Sequence, residues 1–356
     1  MLKYPYQRIS LEEVLGAFSK RKENAKMGQK DLTSKILESE PDVFADIFNT
    51  LLFTDESTRI DGKNLVSEPT EGFYYGSDGN ARNVFQDIAK SYYSADEIRS
   101  HLACFNIENE SQVKRTVPLK CLGYKYTTLK RQEDAYTKER NALLSLKRQA
   151  ERNNETQLIS AIDEKLKEMG KFQTVPFVSI VLNFDDKRWN EPTDLSELNI
   201  PSPYNQFDDS FHVRVFDVKF FDAELRAKFK SDFRVFLEMF CTDNLPDELK
   251  GITLLHPTEL VDMVVAFTGN QNLKKIRNLV AVNELKGERM CMGDIFDTIA
   301  EKATEATRRT VAIQTAKRDL ERGKYTTEEI ISDISKTLAV SYEQAREIFE
   351  KEVVTE

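Results

Sequence analysis

The run VPFVSIVLNF, residues 175–184, constrains the fold of this chain more than any other feature. Its β-branched and aromatic residues follow one another without helical spacing. It opens at Pro176 and ends in the turn-rich DDKRWNEPTDL. Such a run reads as a buried strand, and a buried strand needs partners. RNVFQDIAKSYY (82–93) and HLACFNIEN (101–109) are the upstream candidates, read as neighbouring short strands, and HVRVFDVKFF (212–221) is the last. Ahead of them, DESTRIDGKNLVSEPTEGFYYGSDGN (55–80) is rich in Gly, Ser, Asp and Pro and reads as loop and turn.

Helical periodicity fills most of the rest. DVFADIFNTLLF (42–53) places Val43, Phe44, Ile47, Phe48, Leu51 and Leu52 at helical spacing, with Asp46 and Asn49 sharing its polar face. VPLKCLGYKYTTL (117–129) resumes a helical pattern, and residues 129–169 read as a charged helical hairpin broken near Asn153-Asn154. From Ala223 the chain reads as helix almost to its end. Two capping boxes, Thr326 with Glu329 and Ser341 with Gln344, each open a short amphipathic helix. The expected organisation is an N-terminal arm (1–28) and an α/β core (29–222) with a helical insertion at about 128–170. A helical region (223–322) packed on that core follows, and then a C-terminal helical hairpin (323–356).

Several function classes drop out. No Gly-rich phosphate loop, G-x-S-x-G elbow or H-E-x-x-H helix is present, and the three histidines are scattered singly. The four cysteines form no C-x-x-C pair, which suggests neither a disulfide framework nor a zinc knuckle and fits a reducing, cytoplasmic setting. No apolar run approaches the roughly 18 residues of a membrane span, so no membrane partner is expected. The net charge of −9 argues against a surface that binds nucleic acid everywhere. Yet Lys114 to Arg152 holds eleven basic residues against four acidic ones, a local excess of +7 that suits a polyanion or a solvated helix face.

Carboxylates carry the remaining chemistry. Asp87 in FQDIAK and Glu108 in CFNIENE lie twenty-one positions apart, each at the polar end of an apolar run. Adjacent strands would bring both to one sheet edge, where oxygen ligands suit Mg²⁺ or Mn²⁺. A cation held there lowers the pKa of a water nucleophile and stabilises charge building on a phosphodiester. The alternative is two ordinary acidic strand ends.

DVFADIFNTLLF, NVFQDIAK, FNIENESQVKRTVPLKCLGYKY, VPFVSIVLNFDDKRWNEPTDL and ERMCMGDIFDTIAEKA, taken in order over about residues 29–303, resemble the recombination-promoting nucleases (Rpn). These are a PD-(D/E)XK family often labelled as transposases, although the DDE chemistry of that label belongs to a different fold. Glu108, Ser111, Pro118, Lys120 and Tyr124 match the family's acidic-x-Gln-Ser and Pro-basic-Tyr pattern, with Glu110 standing at the Gln position, and Trp189 and Pro192 match its Trp before Pro. The resemblance implies a restriction-endonuclease-like mixed sheet flanked by helices. It further implies metal-dependent DNA cleavage in recombination, mobile elements or phage defence.

In that scheme Asp87 and Glu108 are metal ligands, the Asn109 carbonyl is a third, and Asp46 and Asn49 lie in an outer shell or on a second metal. Glu110 and Lys120 complete the catalytic set. Lys114, Arg115, Lys120 and Tyr124 would contact the DNA backbone, and a homodimer would suit cleavage of both strands. Glu110 departs from the family's Gln and the superfamily's Lys. It would bind a second metal, or Lys120 would supply the missing positive charge, or this chain is a weakened nuclease that binds DNA or a partner protein.

Overall fold

The computed structural model describes residues 30, 32–75, 81–96, 100–242 and 244–354, with 71–75 and 81–85 described by their backbone alone. The expected N-terminal arm lies outside the described residues. Two compact units divide the chain, residues 1–244 with 262–269 and residues 245–261 with 270–356.

The first unit is α/β. Helical residues 32–39 (α1) give way at Glu40 to α2 (Pro41–Leu51), whose first residue is a proline pre-set for a helix start. α2 buries Val43, Phe44, Ala45, Ile47 and Phe48. Asp55 and Asp61 then cap two short 3₁₀ turns by accepting from the N–H groups two residues on.

Next come β1 (Leu65–Ser67), β2 (Glu71–Tyr75), β3 (Ala81–Phe85), β4 (Ile88–Tyr93) and β5 (His101–Glu110). Helix α3 (Val117–Arg152) and α4 (Thr156–Met169) lead to β6 (Phe177–Asn183) and β7 (Arg214–Asp217). The sheet runs β1-β4-β5-β6-β7, with β2 and β3 as a separate two-stranded ribbon. β1, β4 and β5 pair antiparallel, whereas β5, β6 and β7 pair parallel, so the sheet is mixed. The parallel step from β5 to β6 is made through the helices, as a connection of that kind requires.

Three expectations change. Residues 55–80 are not all loop, because they contain β1 and β2. The run 82–93 is not one strand but two, broken at Gln86-Asp87, where the Gln86 N–H turns to the Thr70 carbonyl at 2.8 Å. The run 212–221 keeps only four strand residues before Val218–Phe220 tightens into a 3₁₀ turn.

The helical hairpin is present, turning at Asn154, whose φ of 57° is left-handed, a region Asn tolerates. Its first arm is not a separate insertion: α3 is one continuous helix of 36 residues, about 54 Å long. Ala150 and Ile162 are buried between its arms, and Lys147 meets Asp163 at 2.5 Å.

Helices cover both faces of the central strands. On one face Phe48 of α2 packs against Phe105, their centroids 5.0 Å apart, with Phe44 against Phe48 behind it. On the other, Val117, Cys121 and Tyr124 of α3 form a cluster with Val181 and Val213, bordered by Trp189. The unit also contains α5 (Ala223–Lys228) and α6 (Phe233–Thr242), the latter in a ring cluster of Phe184, Phe236, Phe240 and Phe267.

The second unit is helical: α7 (Asp247–Lys250), the start of α8 (Pro257–Thr268), α9 (Gln271–Leu285), α10 (Met292–Arg322), α11 (Thr327–Leu338) and α12 (Tyr342–Ile348). Both expected capping boxes form, at Thr326 with Glu329 and Ser341 with Gln344. The tail shares its core with α10. Ala316 joins Ile330, Ile331, Ile334, Ala345, Phe349 and Val353 in one buried cluster. Among the described residues no helix is long and apolar enough to cross a membrane.

Candidate active site

β5 decides the geometry because successive strand residues face opposite ways. Cys104, Asn106, Glu108 and Glu110 form one row, which meets α3 through Gln132 on Cys104 at 3.5 Å and through Lys120 on both glutamates. The opposite row turns Phe105 to α2 and Asn109 to α1. Both glutamates are buried, at 0% and 1% exposed. A strand with two carboxylates in its covered row requires cations from the covering helix.

Lys120 is that cation. It lies one turn into α3, beside the buried Cys121 and Tyr124 that fix the helix to the sheet. Its ammonium bonds Glu108 Oε1 and stands 3.2 Å from Glu110 Oε1, while Lys114 reaches Glu110 Oε2 at 2.6 Å. Glu110 is therefore held between two lysines.

Asp87 enters from the break before β4. Its Oδ2 accepts the Asn109 N–H at 2.8 Å, and its Oδ1 is 2.8 Å from Lys35 of α1. The Asn109 side-chain amide donates to Ser34 Oγ at 3.1 Å and Glu38 Oε2 at 2.5 Å, tying α1 to the same strand end.

The electrostatics follow from burial and like charge. Desolvation, and then the nearby Asp87, push the Glu108 carboxyl up to about 8, against the pull of Lys120. Burial alone would lower the Lys120 ammonium, but Glu108 and Glu110 outweigh it and hold it above its ordinary range. Burial and then Glu108 also keep the Tyr124 phenol protonated far beyond its usual range, and push the Cys121 thiol up to about 12. Glu108 Oε2 is buried without a hydrogen-bond partner, as are Gln86 Oε1 and Asn106 Oδ1. An orphaned carboxylate oxygen beside a second carboxylate is a donor set that suits a hard divalent cation.

Asp87, Glu108, Asn109, Glu110, Lys114 and Lys120 thus come together at one end of β5. Arg115, 61% exposed, points to Glu191 Oε2 at 3.6 Å and the Glu197 carbonyl. Asp46 and Asn49 have structural bonds. Asp46 Oδ2 accepts from the Lys230 and Ser231 N–H groups and the Ser231 hydroxyl at 2.7–2.8 Å, and Asn49 exchanges two hydrogen bonds with the Ile60 backbone. Tyr124 corrects an expectation. It is fully buried, so it is a core residue beside Glu108 and presents no surface to a DNA backbone.

Lys35 and Glu38 went unread in the sequence. Their one local signal is that Ser34 and Glu38, four apart, share a helix face. No family model matches the chain, and neither a curated protein nor a solved structure matches it.

Proposed function

We propose that this protein is a metal-dependent DNA endonuclease of restriction-endonuclease-like fold. The convergence of Asp87, Glu108 and Lys120 at one sheet end carries the reading. The element order supports it: helix, three antiparallel strands β1, β4 and β5, a long helix, then β6 parallel to β5. With one acid at the break before β4, one on β5 and a lysine on the first crossover helix, that order suits phosphodiester hydrolysis.

In this reading Asp87 and Glu108 hold Mg²⁺ or Mn²⁺, with the Asn109 carbonyl adjacent. The cation, when bound, lowers the pKa of a water nucleophile and offsets charge on the phosphate. Lys120 supplies a fixed positive charge toward the substrate phosphate. Glu110 holds that ammonium in place when Glu108 turns to the cation, so the departure from Gln is compatible with activity. Tyr124 keeps its proton and packs against Glu108, limiting the carboxylate's orientations. Lys114 and Arg115, exposed beside the site, suit backbone phosphates.

A second reading is a nuclease fold that binds DNA or a partner protein without cutting. The pairing of Asp87 and Glu108 with the chain's own lysines favours it. Supercoiled plasmid incubated with Mg²⁺ or Mn²⁺ separates the two. Wild type is expected to nick it, Asp87→Ala and Glu108→Ala to leave it intact, and Lys120→Ala to lose about two orders of magnitude or more. Equal inertness of all four across both metals would remove the enzyme reading.

A further inference from the structure

We propose that the cavity beyond the carboxyl ends of β5, β6 and β7 binds a pyrophosphate group together with a Mg²⁺ counter-ion. These three strands run parallel, and in sheets of that kind ligands bind outside the carboxyl ends of the strands. Each strand leads the chain straight into the cavity wall. Ser111 follows β5 by one residue, Asp185 and Asp186 follow β6 by two and three, and Lys219 follows β7 by two. Lys30, ahead of α1, adds a second ammonium to the same lining. All lie in the first unit, and none belongs to the candidate active site.

The charges in this lining do not pair with one another. Lys219 donates to the Phe240 carbonyl and stands 4.6 Å from the centroid of that ring, and Lys30 stands 5.3 Å from the centroid of Phe267. Neutral groups thus position both ammoniums and leave their charge for a ligand. Asp185 Oδ1 accepts the Lys187 N–H at 3.1 Å within its own turn, and Asp186 is exposed. Among the described residues neither lysine is ion-paired to a carboxylate, and the Ser111 hydroxyl has no hydrogen-bond partner.

Two ammoniums and two carboxylates that share a cavity without meeting call for a ligand carrying both signs. A bare anion is drawn by the lysines and repelled by the aspartates, and a bare cation meets the opposite conflict. Mg²⁺ on phosphate oxygens resolves both, because this ion keeps several waters and is held by one or two carboxylates plus phosphates. The aspartates take the cation, directly or through its waters. The lysines and the Ser111 hydroxyl take the phosphate oxygens. Two lysines on separate elements suit two phosphoryl groups bridged by one ion. Size fits a head group: the cavity holds about 220 Å³, below the roughly 300–1,000 Å³ of pockets that enclose whole ligands.

The test is calorimetry on the full chain, with sodium pyrophosphate as the probe in the presence and the absence of Mg²⁺. Wild type is expected to bind about tenfold or more tightly with Mg²⁺ than without it. Lys30→Gln and Lys219→Gln should each weaken binding about tenfold, whereas Lys138→Gln, the same charge change at an exposed position of α3, should not. Asp186→Asn separates a binding role from a structural one. It should lose most of the gain from Mg²⁺ and bind Mg²⁺-free pyrophosphate more tightly than wild type, because a repelling carboxylate is gone. The Lys30 and Asp186 side chains make no hydrogen bond within the described residues, so their variants carry the test if Lys219→Gln fails to fold. ADP binding more tightly than pyrophosphate would assign the group to a nucleotide tail, and equal binding to the inorganic ion.

Wild type that binds no pyrophosphate with Mg²⁺ overturns the proposal. Equal binding with and without Mg²⁺ overturns the joint site. Binding that Lys30→Gln and Asp186→Asn leave unchanged while Glu108→Gln abolishes it also overturns it, since the ligand would then sit at the candidate active site.

Discussion

Replacing Glu108 by Gln should change how stability depends on pH, and the size of the change follows from the site. The Glu108 carboxyl is fully buried and raised from its ordinary 4.5 to about 8. Between those values the folded chain keeps a proton there that the unfolded chain has lost. Folding then takes up a proton, so this group's contribution is fully present below about 4.5 and is lost as pH rises through about 8. Each pH unit across that window costs about 1.4 kcal/mol, to a ceiling of roughly 5 kcal/mol.

Gln has nearly the same shape and carries no charge at any pH. Glu108→Gln should therefore match wild type near pH 5 and become progressively more stable than it toward pH 8.5, by up to a few kcal/mol. Urea unfolding followed by fluorescence of Trp189, the chain's one tryptophan, is the assay. That side chain borders the α3 cluster, so it reports the first unit and not the helical one. Parallel pH profiles for wild type and Glu108→Gln would refute the reasoning, because they would mean Glu108 has the same proton affinity folded and unfolded.

Other expectations follow from particular contacts. Asp46→Ala removes one acceptor from three donors of residues 230–231 and should cost about 2 kcal/mol by the same fluorescence assay. Thr326→Ala breaks a complete capping box in the second unit and should cost about 1 kcal/mol, read as a lower thermal midpoint by circular dichroism. Ile200, Tyr204 and Phe207 are 76–81% exposed, so changing each to Ser should alter stability by no more than about 0.5 kcal/mol. Glu110→Gln leaves Lys120 with one buried carboxylate instead of two. Its ammonium should titrate lower than in wild type, measurable by NMR of the labelled lysine.

The sequence exposes those parts of the fold whose signals are local. The continuous apolar run of β6, the periodicity of α2 and the break at Asn153-Asn154 each lie within a few residues, and all three appear where their patterns stand. The capping boxes at Thr326 and Ser341 are equally short-range. β1 and β2 were hidden because Gly, Ser and Pro dominate around them, and their strand character depends on pairing with β4 and β3.

The site divides the same way. Asp87 and Glu108 were visible at the ends of apolar runs. Glu38 was not, since its environment is set by Asn109, 71 positions away. Tyr124 was ambiguous from spacing, because one helix face can look outward or inward, and only the packing of Val117 and Cys121 beside it settles the direction.

The alternation along β5 also bears on how the chain finds its own register. Its covered row is Cys104, Asn106, Glu108 and Glu110, and its other row carries Phe105, packed against Phe48. A slip of one residue would exchange the rows and set two carboxylates against phenylalanines while Lys120 faced apolar side chains. Burying unpaired charge in that way is among the most costly errors a sheet can make. The acids proposed to hold a cation are thus also alignment marks, and a variant that neutralises both Glu108 and Glu110 would remove the penalty that rejects the misaligned sheet.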